Sequence, residues 1–318
     1  MESNQIFSKE KLGFLGILKE AVKITLKNPK FVIFTCLTSL PLLFSSFMYE
    51  SMFMQTLIEA TKVLVEEDKS DLDCTFCNSW KPLMAVDHLI GKVSHNLLLL
   101  IFSQLGIIHL CDFLNTVATV NSVSVIYPHD HHSLSLHEMF TKHVIDSRLK
   151  GPLITSIYTL LLTSMLSIGL FSLLLYIYFV NRFPLFMMLF SLMFVALFGK
   201  YLEWSAVWDT GIVISILEEK EGDVALVIAA NLSKGNRSSG ILFVIGSLLW
   251  RQSLRLVCLF IAWNTGGSKM LISVLQIILF FLANIIKWVF FVVYYVDCKK
   301  RRSEKEVSIE GGQGVLSV

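Results

Sequence analysis

Charged residues are scarce in this sequence. Only 16% of its 318 residues are charged and 54% are hydrophobic, whereas a soluble domain carries about 25% charged residues. The net charge of +2 at pH 7 is too small to indicate binding of nucleic acid, because such binding uses a strongly basic surface. The composition therefore disfavours a soluble domain and a nucleic-acid partner, and it predicts a membrane protein.

Catalytic signatures are also missing from the sequence. It contains no P-loop, GxSxG, HExxH or glycine-rich fingerprint at a usable position, and its Ser and His residues lack the spacing of a nucleophile and its base. The histidine-rich run PHDHHSLSLH, residues 128–137, does not match the spacing of a closed metal site, and we interpret it as a solvated loop. We therefore expect no enzyme activity, no cofactor and no metal. An intramembrane enzyme assembled from separate spans is an open alternative.

Long apolar runs dominate the chain. A helix needs about 20 mostly apolar residues to cross a bilayer, and the sequence predicts an all-α, polytopic fold in which a domain over 31–297 contains six such spans. These spans are 31–49, 97–120, 153–180, 184–204, 240–263 and 271–296, with a large outer loop over 50–96. The fourth apolar run continues to Leu217, so this helix must tilt or extend into the interface.

Lysine and arginine predict the orientation. With both termini inside, the inner segments hold 17 of these residues and the outer loops hold 6, which satisfies the positive-inside rule. We expect cytoplasmic N and C termini and a first span that acts as its own insertion signal, in an endomembrane or the plasma membrane.

Each inner segment contains an amphipathic stretch just before a span. The sequence predicts three units, each an interfacial helix followed by a two-span hairpin. The stretches are SKEKLGFLGILKEAVKITLKNP (8–29), SLHEMFTKHVIDSRLKGP (135–152) and GDVALVIAANLSKGN (222–236). We expect anionic lipids to bind the Lys-rich N-terminal arm, residues 1–30, and the polybasic tail, residues 298–318, which we predict to be disordered.

Three cysteines carry modification hypotheses. Cys74 and Cys77, in the run CTFC of the outer loop, predict a local disulfide or a bridge to another chain, because an oxidising compartment permits one. Cys298 lies beside four basic residues at the end of the sixth span, which is typical of palmitoylation. An ordinary stop-transfer flank is the alternative for Cys298.

Six charged residues lie within the predicted spans: Asp112, Lys200, Glu203, Arg251, Arg255 and Lys287. A charge near the bilayer centre costs about 2.5–3.5 kcal/mol unless it is paired or hydrated. Depth along the helices predicts an ion pair of Arg251 with Asp112 and a second cluster of Lys200, Glu203 and Lys287. We expect Arg255 to reach the interface or to bond to Gln104. These charges either fix the packing of the helices or line a path for an ion or an anionic solute.

The stretch WDTGIVISILEEKEGDVALVIAANLSKGNR, residues 208–237, together with HHSLSLHEMF upstream, resembles a plant family of six-span proteins of unassigned function. Its turn, formed by Glu218, Gly222, Ala225 and Leu226, is also similar to the non-catalytic membrane domain attached to some bacterial glycerophosphodiester phosphodiesterases. Both resemblances imply a helical membrane domain, and neither implies a catalytic residue. We expect a membrane organiser or adaptor that acts through lipids and protein partners still to be identified; the alternative is a transporter or channel for an ion or small anionic solute.

Overall fold

The computed structural model describes residues 13–68, 91, 95–96, 98–127, 149–180, 183–265 and 269–313, and every regular element in these ranges is a helix. The predicted disulfide of Cys74 with Cys77 lies outside the described residues. The histidine-rich run and most of the second amphipathic stretch lie outside them as well.

The helices are long and follow one another closely. They are α1 (Phe14–Lys27), α2 (Pro29–Thr38), α3 (Leu40–Asp68), α4 (Leu98–Ile126), α5 (Lys150–Phe179), α6 (Pro184–Glu218), α7 (Gly222–Ser233), α8 (Arg237–Thr265) and α9 (Lys269–Gln313). Five of them, namely α4, α5, α6, α8 and α9, are long and apolar enough to cross a membrane. Counting α2 with α3 as one bent span makes six. The all-helical prediction is confirmed, and the helices are those of an integral multi-pass membrane protein.

A bend of 56° separates α2 from α3. Pro41 causes it, since proline has no N–H to donate to the carbonyl of Leu37 and its ring clashes with that carbonyl. The Ser39 hydroxyl donates to the Cys36 carbonyl at 2.9 Å, a contact that also bends helices. Beyond the bend α3 continues to Asp68, so residues 50–68, which we predicted to be loop, are helical.

The buried core surrounds α9. Its segment Ile285–Val293 packs against α1, α4, α6 and α8, and the rings of Phe243 and Phe290 stack at a centroid distance of 3.9 Å. The apolar face of α1 is part of this core, since Ile17 and Ala21 are fully buried. That face therefore meets protein, whereas we predicted that it meets lipid.

Apolar side chains cover the outer surfaces of α5 and α6. Met165 is 72% exposed and Met188 is 76% exposed, among many large apolar residues of both helices. A contiguous apolar surface of this kind in a soluble protein would cause association. It indicates hydrocarbon as the surrounding solvent.

The polybasic tail continues α9 as a helix to Gln313, which corrects the predicted disorder of 298–318 over the described part. Pairs one turn apart support this helix: Arg301 with Asp297 at 2.7 Å and Lys300 with Glu304 at 4.0 Å. Such i, i+4 pairs favour helix on an exposed face.

Candidate functional site

A cavity of about 210 Å³ lies between α3, α4, α8 and α9, and we call it the Glu50 cavity. Arg255 of α8 reaches Glu50 of α3 at 3.6 Å, and the Gln276 amide of α9 donates to the same carboxylate at 3.0 Å. The Arg255 guanidinium also lies over the ring of Phe53, 5.3 Å from its centroid. Gln104, the partner that we predicted, lines the same cavity. Arg255 is therefore held by Glu50.

A second cavity, of about 230 Å³, lies between α5, α6, α8 and α9, and we call it the Lys287 cavity. Lys287 of α9 pairs with Asp209 of α6 at 2.8 Å. Its ammonium lies 4.6 Å from the centroid of the Trp288 ring, a geometry that stabilises a partly desolvated cation. The pair joins the two longest apolar helices of the described chain across a polar space.

A third cavity, of about 190 Å³, contains Ser156 in its wall, and we call it the Ser156 cavity. The Ser156 hydroxyl lies 3.0 Å from Nε2 of His109. The three cavities adjoin one another, because each pair shares wall residues. His109 and Asp112 line the Glu50 and Ser156 cavities; Arg251 and Asn284 line the Glu50 and Lys287 cavities; Asp209 and Lys287 line the Lys287 and Ser156 cavities.

Arg251 and Asp112, the pair predicted from depth, line the Glu50 cavity together. The Asp112 carboxylate accepts a hydrogen bond from the Asn284 amide at 2.9 Å. Within the described part of the chain, no ion pair joins Arg251 to Asp112. The predicted contact is therefore corrected to a shared cavity, in which a cation and an anion face polar space from different helices.

Lys200 and Glu203 lie apart from these cavities. Glu203 accepts from Lys200 at 3.0 Å and from Arg237 at 2.6 Å, and the Lys200 side chain is 68% exposed. The predicted cluster of Lys200, Glu203 and Lys287 is thus divided, because Lys287 turns inward to Asp209. Lys200 provides a matched control for Lys287, since it is the same residue type in a membrane-spanning helix but outside the cavities.

The turn that carries the family resemblance is a structural joint. Glu218 accepts hydrogen bonds from the Tyr295 hydroxyl and from Lys299 at 2.7 Å, both on α9. The N–H of Gly222 donates to the Thr155 hydroxyl of α5 at 2.9 Å, and Gly222 has φ of +55°, which favours glycine. These contacts tie the connection between α6 and α7 to α5 and α9.

Close packing completes the joint. Ala225 is fully buried, and a Cβ added to Gly211 of α6 would lie only 2.6 Å from a methyl of Leu226. Small residues at these places let α6 and α7 approach closely. The four residues of the turn therefore have a structural role, which is to hold the α6–α7 connection against its neighbouring helices.

Cys298, the candidate for lipidation, is 2% exposed. It packs in the core beside Tyr294 and Tyr295, so it is not the exposed thiol that palmitoylation requires. The basic residues that suggested lipidation follow Cys298 in the same helix, α9.

Sequence reasoning missed Glu50, Asn284 and Gln276. Glu50 follows the first predicted span directly, and ending that span at Tyr49 assigned it to a loop. Gln276 contacts Glu50 across 226 positions of sequence, and no local pattern connects them. The polar residues of α9 recur at 276, 284 and 287, and this spacing was the available signal for one inward face.

The chain belongs to a family described as a domain of unknown function, DUF8558, whose model matches residues 1–308. No curated protein and no solved structure matches the chain significantly. The family description names no source and no activity, so the resemblances to a plant family and to a bacterial membrane domain stay predictions.

Proposed function

We propose that this protein conducts an ion or a small anionic solute across its membrane, without a catalytic step. The observation that carries the proposal is the set of three adjoining cavities whose walls share Arg251, Asp112 and the Lys287–Asp209 pair. Ionisable side chains inside a membrane domain face its interior or a water-filled cavity, and ion and substrate pathways are among the functions that they mark.

The length of the polar face of α9 beside the cavities favours a conduction path. The polar residues of α9 run from Gln276 to Lys287, which is about 16 Å along the helix at 1.5 Å per residue. That length is about half of a hydrocarbon core ~30 Å thick. Arg251 is the residue best placed to meet an anion, because it faces two of the cavities and its guanidinium is always charged.

Flux from vesicles tests the proposal. The purified protein is reconstituted, and efflux of chloride and of a small carboxylate is measured for the wild type, Arg251→Ala and Lys200→Ala. We expect Arg251→Ala to lower the flux at least tenfold and Lys200→Ala to leave it unchanged, since Lys200 lies outside the cavities. Flux no higher than that of empty vesicles would refute conduction, and equal flux from all three proteins would refute the role of Arg251 and of the cavities that it lines.

The proposed topology has three two-span hairpins, formed by α2–α3 with α4, by α5 with α6, and by α8 with α9. We propose that α1, the stretch over 135–152 and α7 lie at the cytoplasmic face, with both termini inside, in an endomembrane or the plasma membrane. The packing of α5 on α6 and of α8 on α9 supports this arrangement.

A membrane organiser or adaptor is the second candidate. Val224 and Val227 of α7 are exposed by 51% and 58%, while the opposite face of this helix is buried. An exposed apolar strip on a short helix is a place for lipid or a partner protein. Proximity labelling from the α6–α7 connection, compared between the wild type and Val224→Ser/Val227→Ser, tests this candidate; identical labelled sets would exclude a partner at that strip.

A further inference from the structure

A small basic pocket lies away from the charged cavities, beside the segment where α9 leaves its apolar run. It has a volume of about 170 Å³, and we call it the Lys234 pocket. Its cationic side chains are Lys234, from the connection between α7 and α8, and Arg301 and Arg302 from α9. No carboxylate is among the described residues that line it.

The pocket is held in shape by the contacts of the α7–α8 connection. The Tyr294 hydroxyl donates to the Asn236 carbonyl at 3.1 Å, and the Asn236 amide approaches the Asp297 carboxylate at 3.4 Å. Asp297 also holds Arg301 at 2.7 Å. Lys234 and the two arginines therefore face one space from two elements that are fastened to each other.

The floor and rim of the pocket differ in character. Leu232 and Cys298 are buried at its floor, whereas Lys234 and Arg302 are exposed at its rim. Arginine binds phosphate oxygens through two parallel N–H donors, and lysine adds a point charge. Basic pockets beside membrane-spanning helices bind the headgroups of anionic lipids through this chemistry.

We propose that the Lys234 pocket binds a phosphate monoester, carried by a lipid headgroup or present as free phosphate. This site is more specific than a diffuse attraction of the tail to anionic lipid, because it requires Lys234 of a different element. It is independent of the proposed conduction, since it shares no wall residue with the charged cavities.

Binding to the full-length protein in an uncharged detergent tests the proposal. The probes are dioctanoyl phosphatidic acid, dioctanoyl phosphatidylcholine and inorganic phosphate, and thermophoresis gives each Kd. The test variant is Lys234→Gln/Arg302→Gln. The control variant, Lys150→Gln/Lys220→Gln, removes the same charge from two exposed positions outside the pocket and outside the Lys-rich N-terminal arm. Thermal unfolding checks that each variant is folded, and the single variant Lys234→Gln replaces the double variant if the latter unfolds.

We expect the wild type to bind phosphatidic acid at least tenfold more tightly than phosphatidylcholine, and the test variant to lose at least tenfold in that affinity. The control variant should lose less than twofold. Inorganic phosphate binding as tightly as the lipid would identify free phosphate as the ligand, and much weaker binding would identify a lipid headgroup. Equal binding of the two lipids by the wild type, or equal losses in both double variants, would overturn the proposal.

Discussion

Breaking the Lys287–Asp209 pair should destabilise the protein more than breaking any exposed pair. The two charges lie 2.8 Å apart, and their side chains are only 29% and 13% exposed. Lys287→Met removes the cation and leaves Asp209 without its partner. Asp209→Asn leaves the ammonium without its partner. The double variant removes both charges.

The expected magnitude follows from the distance and the surroundings. Two unit charges 2.8 Å apart attract by about 6 kcal/mol at an effective dielectric constant of ~20. Desolvation offsets part of this attraction, and loss of one partner of a buried pair costs about 3–5 kcal/mol. The Lys287 cavity is polar and large enough to admit water to the remaining charge, so we expect about 3 kcal/mol, the lower end of this range, for each single variant. The double variant should lie within about 1 kcal/mol of the wild type, because no charge is left uncompensated.

Reversible unfolding in mixed micelles of dodecyl maltoside and dodecyl sulfate, followed by circular dichroism, gives the free energies of unfolding. Lys200→Met is the control, and it should cost no more than about 1 kcal/mol because its pair with Glu203 is exposed. Additive losses of unfolding free energy in the double variant would refute this prediction. A loss for Lys287→Met no larger than that for Lys200→Met would refute it as well.

Further predictions concern the family turn, Cys298 and the topology. Gly222→Val should lower the free energy of unfolding by about 1–2 kcal/mol, because a side chain is strained at the φ of +55° of this residue. Gly235→Ala is the control at an open position, and it should change the free energy of unfolding by less than about 0.5 kcal/mol. In the native protein Cys298 should resist a membrane-permeant maleimide and react only after denaturation, as mass spectrometry of its peptide can show; rapid native labelling would contradict its burial. The two Asn-x-Ser sequons, at Asn231 in α7 and Asn236 in the α7–α8 connection, should carry no glycan when the protein is expressed in eukaryotic cells, since we place them in the cytoplasm. A shift on glycosidase digestion would reverse the topology.

Hydropathy alone predicted the helical class and the order of the spans. The run from Pro184 to Leu217 predicted one very long helix, and α6 ends at Glu218. Composition succeeds here because an unpaired backbone is so costly in hydrocarbon that each long apolar run must be helical. Pro41 could also have indicated the bend from the sequence. The bend was not predicted, because a hydropathy window averages over many residues and hides the effect of one proline.

The partners of the charges were not predictable in the same way. Depth along a helix is known to about one turn, and rotation about the helix axis is set by packing. Arg251 and Asp112 thus line one cavity without forming an ion pair. The Asp112 carboxylate instead accepts a hydrogen bond from the Asn284 amide. Glu50 was missed because the end of the first span was placed one residue before it, and α3 continues well beyond that point.

The neighbours of α1 could not be predicted from its sequence either, because they are set by the tertiary structure. Its lysines and its apolar stripe are typical of a helix on a lipid surface, and the same pattern suits a helix that covers a protein core. Phe14 lies 6.1 Å from the ring of Phe290, and no local signal distinguishes that neighbour from an acyl chain.

Access of a water-soluble reagent to the Lys287 cavity tests whether a polar path exists inside the membrane domain. Ser247 of α8 lines this cavity, whereas Leu249, two residues further along the same helix, is 64% exposed on the outer surface. In a background that lacks the six native cysteines, Ser247→Cys and Leu249→Cys are reconstituted in vesicles and treated with a charged, membrane-impermeant methanethiosulfonate. We expect modification of the Ser247→Cys variant and none of the Leu249→Cys variant. Protection of both variants, or equal modification of both, would exclude a polar path inside the membrane domain.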